Sequence, residues 1–391
     1  MQPLEGIVVV AVEQAVAAPF ATRQLADLGA RVVKVERPGG GDFARGYDHS
    51  VQGQSSYFVW LNRGKESLEL DLKDATDRTV LDQILDRADV FVQNLAPGAT
   101  ARLGLEAARL RAHRPRLVHC TISGYGTTGP YGGRKAYDLL VQCEAGVLDI
   151  TGTADDPCKA GIAVADIAAG TYAYAGILAA LYERERTGEG TNLEITMLDA
   201  LGEWIQQPAH YSVYGGAPIR RTGSRHATIS PYGPYRTGDG STVYLGVQND
   251  REWAVLCRDV LHRPDLVTDE RFARNTARLA HDREITAIIE AAFRALTADD
   301  AIQLLDRAGI ACARLRTAAD LFEHPQLQAR ERWCTVDTPG GPIRALRHPI
   351  TMSDREPVMR PVPRLGEHNQ ALRQEFGTRH AGPARVEHHG E

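Results

Sequence analysis

From Gly6 to Val12 the chain reads Gly-Ile-Val-Val-Val-Ala-Val, an apolar run with no polar side chain to turn toward water. A strand of that kind needs cover on both faces, as in a parallel sheet flanked by helices. The next segments supply the cover. A small-residue helical pattern occupies residues 18–28 and ends at Gly29, and Arg31-Val32-Val33-Lys34-Val35 reads as a second strand. Strand, helix and strand in this order make a βαβ unit. The alternation repeats, with helical patterns over 75–87 and 105–113 and strands over 89–92 and 116–121. It predicts an α/β fold whose first half is a doubly wound parallel sheet, Rossmann-like in outline.

A long helix is expected over 168–186, stopped by Thr187-Gly188-Glu189-Gly190, followed by a strand at 192–196 and a helix at 198–206. Its small residues Gly170, Ala173, Ala175, Gly176, Ala179 and Ala180 permit close packing. The character changes near 215–223. A Gly-, Tyr- and Pro-rich stretch, a strand near 243–245 and amphipathic helices then suggest a smaller α+β domain over 216–322. Turn-rich β segments fill 324–377, and 378–391 reads as a loose polar tail.

Several function classes are disfavoured. The 45 Lys and Arg against 50 Asp and Glu give a net charge of −5, so no basic excess exists for a broad nucleic-acid footprint. The N-terminus has no signal-peptide pattern, and no stretch of about 18 apolar residues argues for a membrane span. The six cysteines are scattered without a CxxC pair. That disfavours a metal centre and a disulfide framework and fits reduced thiols in the cytoplasm. Dinucleotide and P-loop fingerprints are missing too: the first strand runs into Glu13-Gln14-Ala15-Val16-Ala17-Ala18-Pro19.

Two features carry chemistry. Arg37-Pro38-Gly39-Gly40-Gly41-Asp42 follows the second strand, and glycines there suit either a plain turn or the close approach of a phosphate. Asp166 stands just ahead of the long helix. A carboxylate in that place is either an N-cap or an anion held ionised by free N–H groups and the helix dipole, as a carboxylate nucleophile requires.

The whole chain resembles the class III coenzyme A transferases, a family that includes the α-methylacyl-CoA racemases. The resemblance rests on an ordered set of stretches. They include Pro3-Leu4-Glu5-Gly6-Ile7, Leu28-Gly29-Ala30-Arg31, Leu68-Glu69-Leu70-Asp71-Leu72-Lys73 and Gln93-Asn94-Leu95-Ala96-Pro97-Gly98. Later come Ser123-Gly124-Tyr125-Gly126, Ala165-Asp166, Glu185-Arg186-Thr187-Gly188, His324-Pro325-Gln326-Leu327 and Pro363-Arg364-Leu365-Gly366. It implies a large domain, 1–215 with 323–391, a small domain inserted at 216–322, and a homodimer of two interlocked ring-like chains.

The resemblance also implies a site. Asp166 becomes the catalytic nucleophile. The coenzyme A contacts fall on Ala15, Val16 and Ala17, then on Arg37, Leu70, Lys73, Asn94, Leu95, Arg102, Lys135 and Met197. Arg37, Lys73, Arg102 and Lys135 would supply local positive charge for phosphates. Coenzyme A and its acyl esters are substrates here, with no tightly bound cofactor and no metal.

Tyr137 separates the two branches of the family. Racemases carry His at this place as an acid/base group, whereas a phenol, with a reference pKa of about 10, is a poor match for abstracting an α-proton at neutral pH. The resemblance therefore implies a transferase, with a 2-methylacyl-CoA racemase as the alternative and a non-enzymatic scaffold as the reading from a different class. Acyl transfer through an Asp166 anhydride and an aspartyl-CoA thioester is the implied mechanism. Val16 stands where oxalate-using members carry Gln, which argues against oxalate. The blocks 137–146 and 165–204 look most like members handling four- and five-carbon dicarboxylates. Arg225 and His226 are candidates for a distal carboxylate or part of a solvated loop. Residues 228–233 or 246–249 are candidates for shielding the anhydride from water.

Overall fold

The computed structural model describes residues 1–216 and 218–377; the tail expected at 378–391 lies outside the described residues. Contacts divide the chain into two units. One comprises Met1–Ala145, Gly161–Gln206 and the segment from Arg330 onward, and the other comprises Gly146–Ala160 and Gln207–Ala329. The second unit thus takes in a short stretch, 146–160, that precedes the long helix.

The first unit is built on six parallel strands: β1 (Val8–Val12), β2 (Arg31–Glu36), β3 (Lys65–Glu69), β4 (Val90–Gln93), β5 (Val118–Ser123) and β6 (Asn192–Thr196). Their order is β3-β2-β1-β4-β5-β6, the doubly wound arrangement in which the chain reverses direction between β1 and β4. Strand β3, Lys-Glu-Ser-Leu-Glu, is polar at four of its five positions and gave no apolar run by which to expect it.

One face of the sheet holds Val10, Val33, Leu68 and Phe91, packed with Leu81 and Ile84 of the Ala75–Leu85 helix and Leu372 and Phe376 of the Asn369–Gly377 helix. The Val164–Thr187 helix packs on the Ala17–Asp27 helix and on β5 and β6. It begins four residues before the expected start. An 18-residue window within it has a mean hydropathy of 1.4 and is half buried. The chain therefore does contain one helix long and apolar enough to cross a membrane, against the expectation from sequence. Its packing against a helix and two strands gives that apolar surface a use inside the unit. The first unit also holds the antiparallel pair β10 (Trp333–Val336) and β11 (Ile343–Leu346).

The second unit holds a three-stranded antiparallel sheet of β7 (Tyr232–Arg236), β8 (Thr242–Gly246) and β9 (Ala311–Arg314). Its core gathers Tyr235, Trp253, Phe272, Ile289, Phe293 and Leu305.

Candidate active site

Where strand order reverses, the segment after β1 and the segment after β4 leave the sheet in opposite directions and open a crevice. Asn94, just past β4, spans it: its Oδ1 accepts from the Gln14 N–H at 2.9 Å and its Nδ2 donates to the Gln14 carbonyl at 2.8 Å. The side-chain amide expected to meet coenzyme A is thus engaged by the β1 turn.

Next to this crevice lies a cavity of about 420 Å³ at the carboxyl ends of β1, β2, β3 and β4, within the range of small-molecule sites. Its lining includes Glu13, Arg37, Asp42, Leu70, Lys73 and Leu95. Four of the expected coenzyme A contacts (Arg37, Leu70, Lys73, Leu95) therefore fall on one cavity wall. Arg102 adjoins the lining residue Leu103, and Met197 is buried at the first position of the helix after β6. Lys135 is exposed and lines no part of this cavity. Among the described residues Arg37, Lys73, Arg102 and Lys135 form no salt bridge with a carboxylate. Arg37 instead rests on the Phe43 ring, 4.3 Å from its centroid, and donates to the Gly41 carbonyl at 3.2 Å. In the glycine turn Gly41 has φ of 61°, and a Cβ there would meet Glu36 Oε1 at 2.9 Å, so the tight passage beside the cavity requires glycine.

Beneath the cavity is a cluster of charges that sequence reasoning missed. Lys34 lies in the middle of β2, fully buried, with its Nζ 2.8 Å from Asp42 Oδ2 and 3.3 Å from Glu13 Oε1. Lys65 Nζ approaches Glu13 Oε1 at 2.6 Å and also donates to the Pro19 carbonyl and Asn62 Oδ1. Burial opposes the Lys34 ammonium, but Glu13 and Asp42 outweigh it and hold its pKa above the ordinary lysine value. Burial likewise raises Glu13, but Lys65 and Lys34 reverse the shift and leave it below the usual carboxylate value. The one signal in the sequence was Lys34 itself, a charge inside an otherwise apolar strand.

Asp166 is the third residue of the Val164–Thr187 helix, within its first turn, and partly buried. It is not the N-cap; Ala163 is, and it offers no side-chain cap. Asp138 fills that role from the Asp138–Glu144 helix, its Oδ1 accepting from the N–H groups of Ala165 at 2.8 Å and Asp166 at 3.2 Å. The donors expected to hold Asp166 ionised are thus taken by another carboxylate. Burial, then repulsion from Asp138, push the Asp166 carboxyl up to about 7, while the Ala17 backbone N–H draws it back. The expectation of an Asp166 held ionised fails first on its burial and then on the proximity of Asp138, 28 residues away in the sequence.

The turn after β1 brings Ala17 against the helix that carries Asp166, its carbonyl oxygen 2.6 Å from where a Cβ on Gly170 would stand. Ala15 has φ of 61°, Val16 and Ala17 are buried, and Ala17 begins the next helix. Tyr137 is the N-cap of the Asp138–Glu144 helix with its ring 69% exposed, available to a ligand beside Asp138. Tyr47 is a second residue that sequence reasoning missed. Its hydroxyl is raised above the usual tyrosine value by burial, then by the charges of Asp42 and Asp166.

Residues 4–369 match the sequence profile of CoA-transferase family III. The chain belongs to that family.

Among the relatives of this CoA-transferase is the acetyl-CoA:oxalate CoA-transferase of Acetobacter aceti, 36% identical with 96% of each chain covered. The succinate–glutarate CoA-transferase of Agrobacterium fabrum is also 36% identical, with 96% of each covered. The succinyl-CoA:mesaconate CoA-transferase of Haloarcula hispanica is 34% identical, with 99% of each covered. A crystal structure of a CAIB/BAIF family protein from Brucella suis superposes with a TM-score of 0.83 at 34% identity, covering 96% of this chain and 99% of that one. The α/β fold and the six-stranded parallel sheet are those of the family.

In the second unit of the CoA-transferase, Arg225 lies over the Tyr235 ring at 5.1 Å, donates to the Pro234 carbonyl at 3.1 Å and stands 3.8 Å from Asp282. His226 stacks on Tyr232, with ring centroids 5.1 Å apart. Both side chains thereby order the segment leading into β7. The two candidate shielding loops run side by side there, joined by the Val247 N–H donating to the Pro231 carbonyl at 3.0 Å.

Proposed function

We propose that this enzyme moves coenzyme A between an acyl-CoA donor and a small dicarboxylic acid, through covalent intermediates on Asp166. The observation that carries the reading is the placing of Asp166 in the first turn of a helix that packs on the Ala17–Asp27 helix, whose leading turn starts from the cavity holding Arg37 and Lys73. A carboxylate, a backbone donor and unpaired cations make a set suited to a thioester bearing phosphates.

In the proposed sequence an Asp166 oxygen attacks the donor thioester carbon. The carbon–sulfur bond breaks, and the coenzyme A thiolate leaves behind a mixed anhydride. The thiolate then attacks the aspartyl carbonyl carbon, releasing the donor acid as carboxylate and forming an aspartyl-CoA thioester. The acceptor carboxylate attacks that carbon, expels the thiolate and forms a second anhydride. Attack of the thiolate on the acceptor acyl carbon restores Asp166. Electrons and protons balance without a redox group or a metal. The Ala17 N–H is the proposed donor to the developing oxyanion, and residues 228–233 or 246–249 the proposed shield.

Relatives named for glutarate, mesaconate and succinate support a four- or five-carbon dicarboxylate. A relative named for oxalate keeps that acid in the assay despite Val16. Arg225 is proposed for the far carboxylate of the acceptor, with His226 as its neighbour in sequence. The exposed side of the Val164–Thr187 helix carries Tyr172, Ala175, Ala179 and Tyr182 at helical spacing, an apolar stripe in want of cover. It supports a homodimer, with interlocked chains as the proposed topology; a monomer by light scattering at micromolar concentration would remove that part.

The central test incubates the enzyme with succinyl-CoA, traps with hydroxylamine or borohydride, and maps the adduct by peptide mass. Modification at Asp166, lost in Asp166→Ala, is expected. An active Asp166→Ala enzyme that exchanges the α-proton of a 2-methylacyl-CoA would replace transferase by racemase.

A further inference from the structure

The turn between β1 and the Ala17–Asp27 helix is held by bonds that no cofactor contact explains. Gln14 is gripped at both ends of its peptide unit by the Asn94 amide, 2.9 Å at its N–H and 2.8 Å at its carbonyl. The next N–H, that of Ala15, donates to Asp42 Oδ1 at 2.9 Å. Asp42 is itself fixed three further ways: Lys34 Nζ at 2.8 Å on Oδ2, the Ala44 N–H at 2.9 Å on Oδ1, and its own N–H on Glu36 Oε1 at 3.0 Å. Between the two clamps Ala15 takes φ of 61°, a conformation that a residue with a Cβ adopts at a cost and that the surroundings must enforce. Two residues further on, Ala17 opens the helix that packs on the one carrying Asp166; its carbonyl oxygen lies 2.6 Å from where a Cβ on Gly170, one turn beyond Asp166, would stand, and its N–H lowers the pKa of the Asp166 carboxyl.

We propose that Asp42 and Asn94 are positioning residues for acyl transfer, which fix the left-handed turn at Ala15 and thereby aim the Ala17 N–H at the reacting carboxylate. The inference rests on the reading of Asp166 as nucleophile. It assigns the buried Glu13–Lys34–Lys65 cluster a task too, since Lys34, itself held by Glu13, anchors Asp42, and Glu13 is held in turn by Lys65. A turn held by side chains that follow two different strands is set rigidly with respect to both β2 and β4, and a donor placed in advance needs no reorganisation when charge develops.

The readout is the pH at which kcat/KM reaches half its plateau, because the Ala17 N–H favours the ionised form of Asp166 and its loss shifts the rising limb upward. The groups bearing on Asp166 are Asp138 from the helix before it and Tyr47 from the segment after β2; both remain in the variants. Asn94→Ala is neutral for neutral and leaves the buried ions intact. It is expected to raise the midpoint by about half a unit or more and to lower the plateau at least tenfold. Asp42→Asn keeps an acceptor for the Ala15 N–H and is expected to stay within a few tenths of a unit of the parent. Asp42→Ala removes the acceptor and moves the limb upward, although deleting a negative charge by itself would move it down. Should Asp42→Ala fail to fold, Asn94→Ala and Asp42→Asn suffice. A midpoint unchanged in Asn94→Ala, beside a parent enzyme whose activity requires Asp166, would overturn the proposal and leave the nucleophile in place. Full activity of Asp166→Ala would overturn both.

Discussion

The carboxylate of Asp138 sits at the N-terminus of the helix that carries Asp166, accepting from the backbone N–H groups of Ala165 at 2.8 Å and of Asp166 itself at 3.2 Å. One aspartate thus takes the favourable end of the helix dipole and leaves the other in a partly buried place with a like charge beside it. Only one of the two accepts from the free N–H groups of the helix. The other is pushed up to about 7, by burial first and by Asp138 second. An Asp166 poised between neutral and ionised binds a polyanionic thioester with less charge repulsion and still supplies a nucleophile at neutral pH.

The rate should follow this arrangement. The ionised form attacks, so kcat/KM is expected to climb with pH through about 7 and level off above it. Asp138→Asn keeps an oxygen for the Ala165 and Asp166 N–H groups, and the Gln142 amide that now donates to Asp138 Oδ2 at 2.6 Å can turn over to meet the new NH2. What is lost is the like charge. The limb should move to lower pH by about half a unit to one unit. A limb in the same place, measured over pH 5–9, would remove Asp138 as a cause.

Stability should respond with the opposite sign to that of a salt-bridged carboxylate. Unfolded, Asp166 releases its proton near the ordinary aspartate value of 3.8; folded, it does so at about 7. Between these values the folded chain binds more protons, so this group makes stability fall as pH rises, with the loss complete above about pH 7. Asp166→Asn has no proton to lose. It should unfold at the same denaturant concentration as the parent near pH 4 and be more stable at pH 8, by on the order of 2–4 kcal/mol. Equal midpoints at both pH values would contradict the placement of the carboxyl.

The fold was largely legible because its central strands are apolar on both faces and its helices obey a single period. The run ending at Val12 and the repeating strand–helix alternation suffice for a doubly wound sheet. Strand β3 escaped because Lys65, Glu66 and Glu69 break the apolar pattern, and two of them answer to partners far along the chain: Lys65 to Glu13 and Glu69 to Asn369. The site was legible where it follows strand ends, as with Arg37, Leu70, Lys73 and Leu95. It was not legible where function depends on a contact between separate elements. Asp138 beside Asp166, Asn94 across Gln14 and Asp42 under Ala15 are such pairs, and no local spacing announces them.

The free cations should carry the affinity for the thioester. Arg37 and Lys73 line the cavity without a carboxylate partner among the described residues, so each charge is open to a phosphate. Arg37→Ala and Lys73→Ala are each expected to raise the KM for acyl-CoA about tenfold, the size of one charged hydrogen bond. The kcat at saturation should stay within about twofold, because neither group touches the carbonyl. Salt should weaken binding to the parent more than to the variants. A fall in kcat at unchanged KM would place these residues elsewhere in the reaction.

Gly170 offers the sharpest mechanical test. It lies one turn beyond Asp166, and a Cβ added there would stand 2.6 Å from the Ala17 carbonyl oxygen and 3.0 Å from Phe20 Cδ1. The ring of Phe20 can give way, but the Ala17 carbonyl is backbone, so Gly170→Ala must move the turn or the helix. Overpacking of this kind costs about 1–3 kcal/mol, partly offset by the better helix propensity of alanine, about 1 kcal/mol. The net loss of stability should therefore be small while the loss of activity is large. Displacing the Ala17 N–H by even part of an ångström separates the donor from the carboxyl it faces. We expect kcat to fall at least tenfold, the order of effect seen when an oxyanion donor is removed, with the cavity's affinity for free coenzyme A kept within about threefold because Gly170 is not among its lining residues. Native kcat in a folded Gly170→Ala enzyme would mean that the position of Ala17 does not govern the chemistry at Asp166.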